Sequence, residues 1–482
     1  MSGDLTLINA HIVLPEIGEI EGALVVKDGR VAEIGANDTV ERTGEVIDVA
    51  GRYVLPGLID PHIHYGLLPP LEDRLRAESA FAASGGVTTV IRYFRRPESY
   101  LGTFPDQVAL GSANQYQDFA HHLALFNSDQ VSEMGEYMRQ FGVTSFKIYM
   151  NLKGEFGRSF LMDLRPEAGD SLETADVDFD DGHLYDVFQA AAELRGVRVN
   201  VHSENADIVR RQSALVKDSG IEGLPAWHRA RPGNSEALAI QMVGHLSRLF
   251  RVPVYFPHIG SVEAIAEMRR VRALGTDYAA ETGPQYVALD TTSPAGALAK
   301  VMPPVRTSTD VAEVWRGIAE RVLTCLGSDH IAYTTQEKNP GSIWTTRPAF
   351  GGTGLMLSVF LSEGVNRGRM TLQHLAQMGS YATARAFGLY PKKGTLLPGS
   401  DGDFVVIDRE RDWTVRATDL LSASDFSAYE GQELKGAVAM TGVRGTVVYR
   451  DGRMTAEPGL GQYIRRFPET EGVETVVASK KG

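Results

Sequence analysis

The sequence predicts an α/β protein: a (β/α)8 barrel of the TIM type, joined to a small β-sandwich domain that both ends of the chain build together. In the middle of the chain, short apolar β-rich runs alternate with helical stretches, which predicts a parallel sheet. That part is also long enough for a complete barrel. The two ends are β-rich and lack the helical stretches, and polar side chains recur directly after the predicted barrel strands.

The β-sandwich domain is expected at residues 1–55 plus 393–460, because both segments are patterned as short strands separated by turns. The β-rich runs are residues 5–13, 23–27, 30–34, 403–407, 436–440 and 445–449. Neither segment has enough strands for a stable sheet domain on its own. We therefore expect the two segments to pair.

The barrel is expected at residues 56–392, where strands and helices alternate. Its predicted strands include residues 88–91, 145–149, 197–201, 254–256, 277–280 and 323–326, and its predicted helices include 184–195, 235–250, 261–274 and 308–321. Residues 461–482 are assigned to a C-terminal tail. The part of the tail after Phe467 is polar, which is typical of a flexible arm.

Composition excludes several classes of function. The 482 residues carry a net charge of −13, which argues against a nucleic-acid-binding protein, since such proteins show a basic excess. No apolar run is long enough to cross a membrane, and the first residues do not form a secretory signal. The single cysteine, Cys325, excludes an internal disulfide and fits a reducing compartment. We expect a soluble, cytoplasmic protein.

Histidines at the predicted strand ends indicate a metal centre. His62 and His64 lie two residues apart after an apolar run, so on an extended strand both rings face the same side. His202, His258 and Asp329 each follow another predicted strand. A single histidine of this kind is ordinarily a core or surface residue. A barrel, however, collects the carboxyl ends of all its strands at one face, so we expect these side chains to meet.

Lys147 stands in the middle of the predicted strand 145–149. An ammonium group inside a barrel is costly unless it is paired or neutralised, and burial lowers the pKa of a lysine. A neutral amine can add carbon dioxide and form a carbamate, whose two oxygens suit a bridge between two divalent ions. The alternative is that Lys147 reaches the barrel rim or pairs with Asp329.

Taken together, these motifs resemble those of the amidohydrolase superfamily, most closely its hydantoinase/dihydropyrimidinase branch. The resemblance runs in order through nearly the whole chain. Its motifs are residues 57–64 (GLIDPHIH), 146–150 (FKIYM), 201–205 (VHSEN), 257–261 (PHIGS), 281–286 (ETGPQY), 303–306 (PPVR), 327–330 (GSDH), 396–403 (LLPGSDGD) and 447–452 (VVYRDG).

The resemblance implies a binuclear centre of two divalent metal ions. The ligands implied are His62, His64, Lys147, His202, His258 and Asp329. Lys147 would bridge the ions as N6-carboxylysine. Zinc is the first choice for such a ligand set, with manganese, cobalt and nickel left open. The implied activity is hydrolysis of a C–N bond in a cyclic amide, ureide or imide by a hydroxide that bridges the ions. Asp329 would be the catalytic acid–base.

The sequence departs from this branch where the substrate is recognised. The branch usually has a tyrosine a few residues after the lysine, but Leu152 stands there, and Tyr149 is a weak substitute. Met302 stands where a serine usually precedes the Pro-Pro pair. We also expect Gly351 and Gly352 to present their backbone to the substrate. Loss of an oxyanion donor can slow an enzyme by about 10² to 10³-fold, so the substrate or its anchoring is expected to differ.

Two other segments bear on the choice of substrate. Relatives that bind a carboxylate or ureido group commonly have an arginine or asparagine after the second histidine. This chain has residues 65–70 (YGLLPP) there, which argues against an anionic, orotate-like substrate. Arg92 belongs to a group with Arg95 and Arg96, and it either binds an acidic group of the substrate or forms a structural ion pair. The segment 154–179 either forms the mouth of the active site or makes a solvated surface excursion.

Alternative functions remain open. The same binuclear site could cleave an acyclic amide, carbamate or urea. The branch also includes non-catalytic scaffold proteins, but these lose metal ligands, whereas every ligand implied by the resemblance is present in this sequence. Relatives commonly form homo-oligomers, so we expect a tetramer or a dimer.

Overall fold

The computed structural model describes residues 3–166, 169 and 171–466. It opens with strands that belong to the predicted terminal domain. These are β1 Leu5–Leu14, β2 Gly18–Lys27, β3 Arg30–Gly35, β4 Glu45–Asp48 and β5 Tyr53–Pro56. Their inward positions are aliphatic, as half-buried strands require.

Strands and helices then alternate through the middle of the chain, as the sequence predicted. The strands are β6 Leu58–Ile63, β7 Val87–Phe94, β8 Asp118–Ala124, β9 Ser145–Tyr149, β10 Phe160–Leu161, β11 Thr174–Ala175, β12 Arg198–His202, β13 Val254–Phe256, β14 Tyr278–Thr282 and β15 Cys325–Leu326. The helices are α1 Leu71–Ser84, α2 Phe104–Asn114, α3 Ser128–Ser132, α4 Met134–Phe141, α5 Asp181–Ala192, α6 Ala206–Asp218, α7 Gly223–Ala230, α8 Gly233–Phe250, α9 Val262–Ala273, α10 Pro284–Ala288, α11 Ser308–Ala319, α12 Thr335–Lys338, α13 Met356–Phe360, α14 Leu372–Ala376 and α15 Ala382–Ala386. Within the described residues, none of these helices combines the length and apolar character that crossing a bilayer demands.

Eight of these strands form the barrel. They lie in the order β15-β14-β13-β12-β9-β8-β7-β6, and all neighbours run parallel. The barrel closes after β15, where Ile63 pairs with His330. The amide of His64 donates to the carbonyl of His330 across this seam, with an N···O distance of 3.0 Å. The carboxyl ends of all eight strands therefore surround one opening.

The last strands return to the terminal domain. They are β16 Phe404–Thr414, β17 Glu433–Val443, β18 Thr446–Arg450 and β19 Arg453–Met454. Together with β1–β5 they form one nine-stranded sheet, in which β16 pairs antiparallel with β5. The side chains of Leu7, Ile12, Val26 and Phe404 are buried together inside this domain. The predicted fold class, a TIM-type barrel with a small β domain from both termini, is confirmed.

A buried ion cluster joins the terminal domain to the barrel. The Nζ atom of Lys393 lies 2.5 Å from a carboxylate oxygen of Asp118 on β8, 2.9 Å from Asp401 and 2.6 Å from Asp403. Arg444 also pairs with Asp118. Removing one member of such a cluster leaves an uncompensated buried charge, which is strongly destabilising. The cluster therefore fixes the terminal domain at one position on the barrel.

The first residues of the predicted tail lie against the barrel. Tyr463 pairs with Phe119 of β8. Arg466 is buried, and it donates to the hydroxyl of Ser145 on β9, 2.7 Å away, and to the carbonyl of His121. The remainder of the tail, including everything after Phe467, lies outside the described residues. The flexible arm predicted there stays a prediction.

Candidate metal centre

The strands of the barrel position every predicted metal ligand at one opening. His62 and His64 stand at the end of β6, Lys147 on β9, His202 at the end of β12, His258 shortly after β13 and Asp329 shortly after β15. The backbone is left-handed at His258 (φ 46°) and at Asp329 (φ 52°). Residues other than glycine rarely adopt this conformation, and it clusters at functional sites. At both positions it turns the chain directly after a strand.

His62, His64 and Asp329 form the first ligand group. The Nε2 atoms of His62 and His64 lie 3.1 and 3.3 Å from the same carboxylate oxygen of Asp329. One ligand atom from each residue lies within 4.8 Å of the other two. Burial opposes ionisation of Asp329, but the two histidines outweigh it and hold its pKa well below the usual range. Asp329 is therefore a carboxylate, the form that binds a metal.

His202, His258 and Lys147 lie beside the first group. The ring centroids of His202 and His258 are 4.5 Å apart, and that of His258 is 5.3 Å from that of His62. Lys147 is fully buried, and its Nζ atom has no hydrogen-bond partner. Burial lowers the pKa of Lys147 to about 7. An amine in this state is available for carboxylation near neutral pH, since much of it is uncharged.

Glu281, at the end of β14, holds two of the histidines in place. Its carboxylate lies 2.9 Å from Nδ1 of His62 and accepts from the backbone amide of His258 at 3.0 Å. The hydroxyl of Tyr255 donates to it at 2.7 Å. Burial opposes protonation of His62, but Glu281 and Asp329 outweigh it and raise its pKa to about 9. A carboxylate on the outer nitrogen orients a histidine so that its other nitrogen can bind a metal.

Glu204 does the same for His202. Its carboxylate lies 2.7 Å from Nε2 of His202, and Arg231 holds it through two hydrogen bonds of 2.9 and 2.7 Å. Burial works against ionisation of Glu204, but Arg231 and His202 lower its pKa to about 2. The sequence interpretation assigned no role to Glu204 or Glu281. The signal available was an acidic residue inside or beside an apolar strand, where a free carboxylate would be costly.

The ligands form the floor of a cleft of about 440 Å³. Tyr149, Leu152 and Met302 line this cleft, as the sequence predicted for substrate contacts. Gly351 and Gly352 are not among the residues that line it, and their contact with substrate stays a prediction. They pack beside His330, whose Nδ1 accepts from the amide of Gly352 at 3.1 Å.

The described residues of segment 154–179 contribute one wall of the cleft. The short strands β10 and β11 pair within it. Phe156, Ser159, Phe160, Leu172 and Thr174 face the cavity. Of the two interpretations of this segment, the structure supports the active-site mouth.

The donor set fits divalent metal ions. It supplies imidazole nitrogens, one carboxylate and one neutral amine, which suit zinc and related ions. Buried polar atoms lie there without hydrogen-bond partners, among them Nδ1 of His64 and Nζ of Lys147. Because an unpaired buried polar group is costly, these atoms support a site built for ions.

Comparison with known proteins agrees with this geometry. The sequence model that describes the amidohydrolase family matches residues 173–448 of this chain. L-hydantoinase of Paenarthrobacter aurescens is 30% identical over 482 residues, covering 96% of this chain and 98% of the relative. D-hydantoinase of Geobacillus stearothermophilus is 30% identical over 462 residues, covering 92% of this chain and 93% of the relative. The crystal structure of dihydropyrimidinase from Brevibacillus agri NCHU1002 superposes with a TM-score of 0.86 at 25% identity, covering 96% of this chain and 98% of that structure's chain. With its barrel, its strand-end ligands and its sequence all in agreement, the chain belongs to the amidohydrolase family, in the hydantoinase/dihydropyrimidinase branch.

Proposed function

We propose that this protein is a metal-dependent hydrolase that opens a C–N bond in a cyclic amide, ureide or imide. One observation carries the proposal: six candidate ligands converge on the floor of a single cleft. The similarity to hydantoinases along nearly the whole chain supports a cyclic substrate. The ligands of the proposed centre are His62, His64, Lys147, His202, His258 and Asp329.

Within this proposal the ions are zinc and Lys147 is carboxylated. The amine of Lys147 is buried and has no hydrogen-bond partner. Carboxylation would convert it into a carbamate anion whose two oxygens can bind metal ions. That group can join the pair His62 and His64 to the pair His202 and His258. When bound, the ions supply Lewis acidity and lower the pKa of water toward 7, as zinc does in other hydrolases.

Asp329 moves the proton in the proposed reaction. It lies at the cleft floor beside His62 and His64, and its depressed pKa keeps it in the ionised form that an acceptor of protons needs. It takes a proton from the water that adds to the carbonyl carbon and gives one to the nitrogen as the C–N bond breaks. General acid–base catalysis of this kind contributes about 10² to 10⁴-fold.

Tyr149 is the proposed hydrogen-bond donor to the substrate. Its side chain lines the cleft, and its hydroxyl has no hydrogen-bond partner. Burial raises the pKa of Tyr149, so the hydroxyl keeps its proton. Leu152 and Met302, which also line the cleft, offer no such donor.

Metal content and substrate scope test the proposal. We expect about two metal ions per chain and ring opening of hydantoin or dihydrouracil, with activity lost on chelation and restored by zinc. Linear N-carbamoyl amino acids and anilides are the comparison substrates. Cleavage of the linear substrates alone would establish the acyclic alternative, and a metal-free, inactive chain would indicate a scaffold.

The contact of Glu281 with His62 predicts a graded effect on metal affinity. Glu281→Gln removes the charge that orients His62, and we expect metal affinity to fall about 10 to 100-fold, as for other residues that hold a ligand. Tyr255→Phe removes only one hydrogen bond to Glu281, so its effect should be smaller. Metal retained after dialysis against a chelator measures both. Equal retention by wild type and Glu281→Gln would contradict this role.

A further inference from the structure

We propose that the cleft selects cyclic amides that carry a carboxylate, and that Arg95 binds this carboxylate. The inference rests on the proposed function and names its substrate class. Arg95 directly follows β7, so it stands at the same barrel opening as the metal ligands. Its side chain lines the cleft together with His64, Lys147 and Tyr149.

Arg95 is a buried guanidinium without a carboxylate partner. Only 4% of the residue is exposed, and its Nε and Nη2 atoms make no hydrogen bond. In the described part of the chain, no carboxylate lies within ion-pair distance of it. A buried charge in this state is costly, and a planar guanidinium matches a carboxylate through two parallel hydrogen bonds.

The neighbouring arginines are already paired. Arg92 forms a fully buried ion pair with Asp163, with an N···O distance of 3.1 Å, which supports the structural interpretation of Arg92. Arg96 pairs with Glu98 and Glu173. Of the three arginines that the sequence analysis singled out, Arg95 is therefore the one available to a ligand.

The position of Arg95 is fixed before a ligand arrives. Its backbone amide donates to Asp163 at 2.9 Å, and its guanidinium carbon lies 4.7 Å from the ring centroid of Phe160. Phe160 belongs to the cleft wall formed by segment 154–179. An aromatic face holds a guanidinium by cation–π attraction while leaving its N–H groups free. This arrangement limits the entropy lost when a ligand binds.

The charge of the cleft also fits an anion. Arg158 and Arg347 line it with Arg95, and Asp329 is the only carboxylate among the described residues that line it. The whole chain has a net charge of −13, so the arginines of the cleft give it a local charge opposite in sign to that of the chain as a whole. A surface of one sign in a cleft attracts ligands of the other sign.

The expectation against an anionic substrate rested on residues 65–70, which offer no arginine or asparagine after the second histidine; Arg95 offers a guanidinium from the neighbouring strand. The hydroxyl of Tyr65 donates to the backbone carbonyl of Glu78 at 3.1 Å, and the residue does not line the cleft. The anion is bound from β7 instead, one strand away from the pair His62 and His64.

Two hydantoins that differ only in charge test the inference. Hydantoin-5-acetate and hydantoin-5-acetamide have nearly the same shape. We expect the wild type to prefer the acetate in kcat/KM, and Arg95→Gln to reduce the acetate-to-acetamide ratio about 10 to 100-fold, as loss of a charged hydrogen bond predicts. Arg95→Lys should restore part of the ratio. The control is Arg139→Gln, which removes one exposed arginine charge on α4 and should leave the ratio unchanged.

The other kinetic outcomes either overturn the inference or move its test to a binding measurement. If Arg95→Gln lowered kcat/KM for the acetate and for the acetamide by the same factor, Arg95 would have a purely structural role. A preference that survives in Arg95→Gln would assign anion binding to another cationic group of the cleft, such as Arg158, Arg347 or the metal centre. If neither compound is hydrolysed, the proposed function fails for these rings, and calorimetric binding of the same pair to the metal-loaded protein decides the role of Arg95. Acetate-selective binding that is lost in Arg95→Gln would still support it, and equal binding would refute it.

Discussion

Replacing Lys147 by alanine is expected to release both metal ions and to abolish turnover. In the proposed centre the carbamate of Lys147 would help to hold both ions, and alanine would remove both of its oxygens. Loss of the ions removes several kcal/mol of charge stabilisation, which corresponds to a rate decrease of about 10³-fold or more. Metal analysis of the purified variant and a turnover assay on hydantoin measure the two effects.

Short carboxylic acids should partly restore the alanine variant, because a free carboxylate can take the place of the carbamate and offer the same two oxygens. Lys153→Ala is the matched control. Lys153 is a partly exposed lysine near the cleft that pairs with Asp207, and its loss should leave metal content and rate near the wild-type values. A Lys147→Ala variant with full metal content and full rate would end the proposal of a carbamate bridge.

Replacing Asp329 by asparagine separates metal binding from proton transfer. The amide can still offer an oxygen beside His62 and His64, so we expect much of the metal to remain. It cannot accept the proton, so turnover should fall by about 10² to 10⁴-fold, the usual contribution of an acid–base group. Metal content and kcat for hydantoin are the two readouts.

The control for Asp329 is Asp207→Asn, which neutralises an exposed aspartate on α6 that pairs with Lys153. This variant should match the wild type in both readouts. Near-normal turnover of Asp329→Asn would show that another group carries the proton. Loss of all metal together with activity would make Asp329 chiefly a ligand.

The convergence of the candidate metal ligands could be predicted from the sequence because each of these residues follows or interrupts an apolar run. The spacing of His62 and His64 identifies a shared face, and a lysine within the apolar strand of Lys147 conflicts with ordinary burial. These signals are local, because each can be recognised from neighbouring residues without knowledge of the tertiary contacts. The barrel and the pairing of the termini followed from the same alternation of runs.

Other features could not be predicted, because they depend on contacts between distant segments. Strand β8 (DFAHHLA) was not among the predicted strands, since its two histidines interrupt the apolar pattern. Glu281 and His62 are 219 positions apart, so the sequence does not reveal their hydrogen bond. Arg95 is available to a ligand because Arg92 forms the ion pair with Asp163, and that contact between distant segments is not apparent from the sequence.

The sheet shared by the two termini constrains the order in which the chain can assemble during synthesis. Strand β5 ends at Pro56, but its antiparallel neighbour β16 begins at Phe404. At roughly 5 to 20 residues per second, the ribosome needs about 20 to 70 s to cover this interval. Throughout it, the hydrogen-bonding edge of β5 is open to other chains, and such edges promote aggregation. Soluble yield should therefore depend on chaperones that shield the nascent N-terminus until β16 emerges.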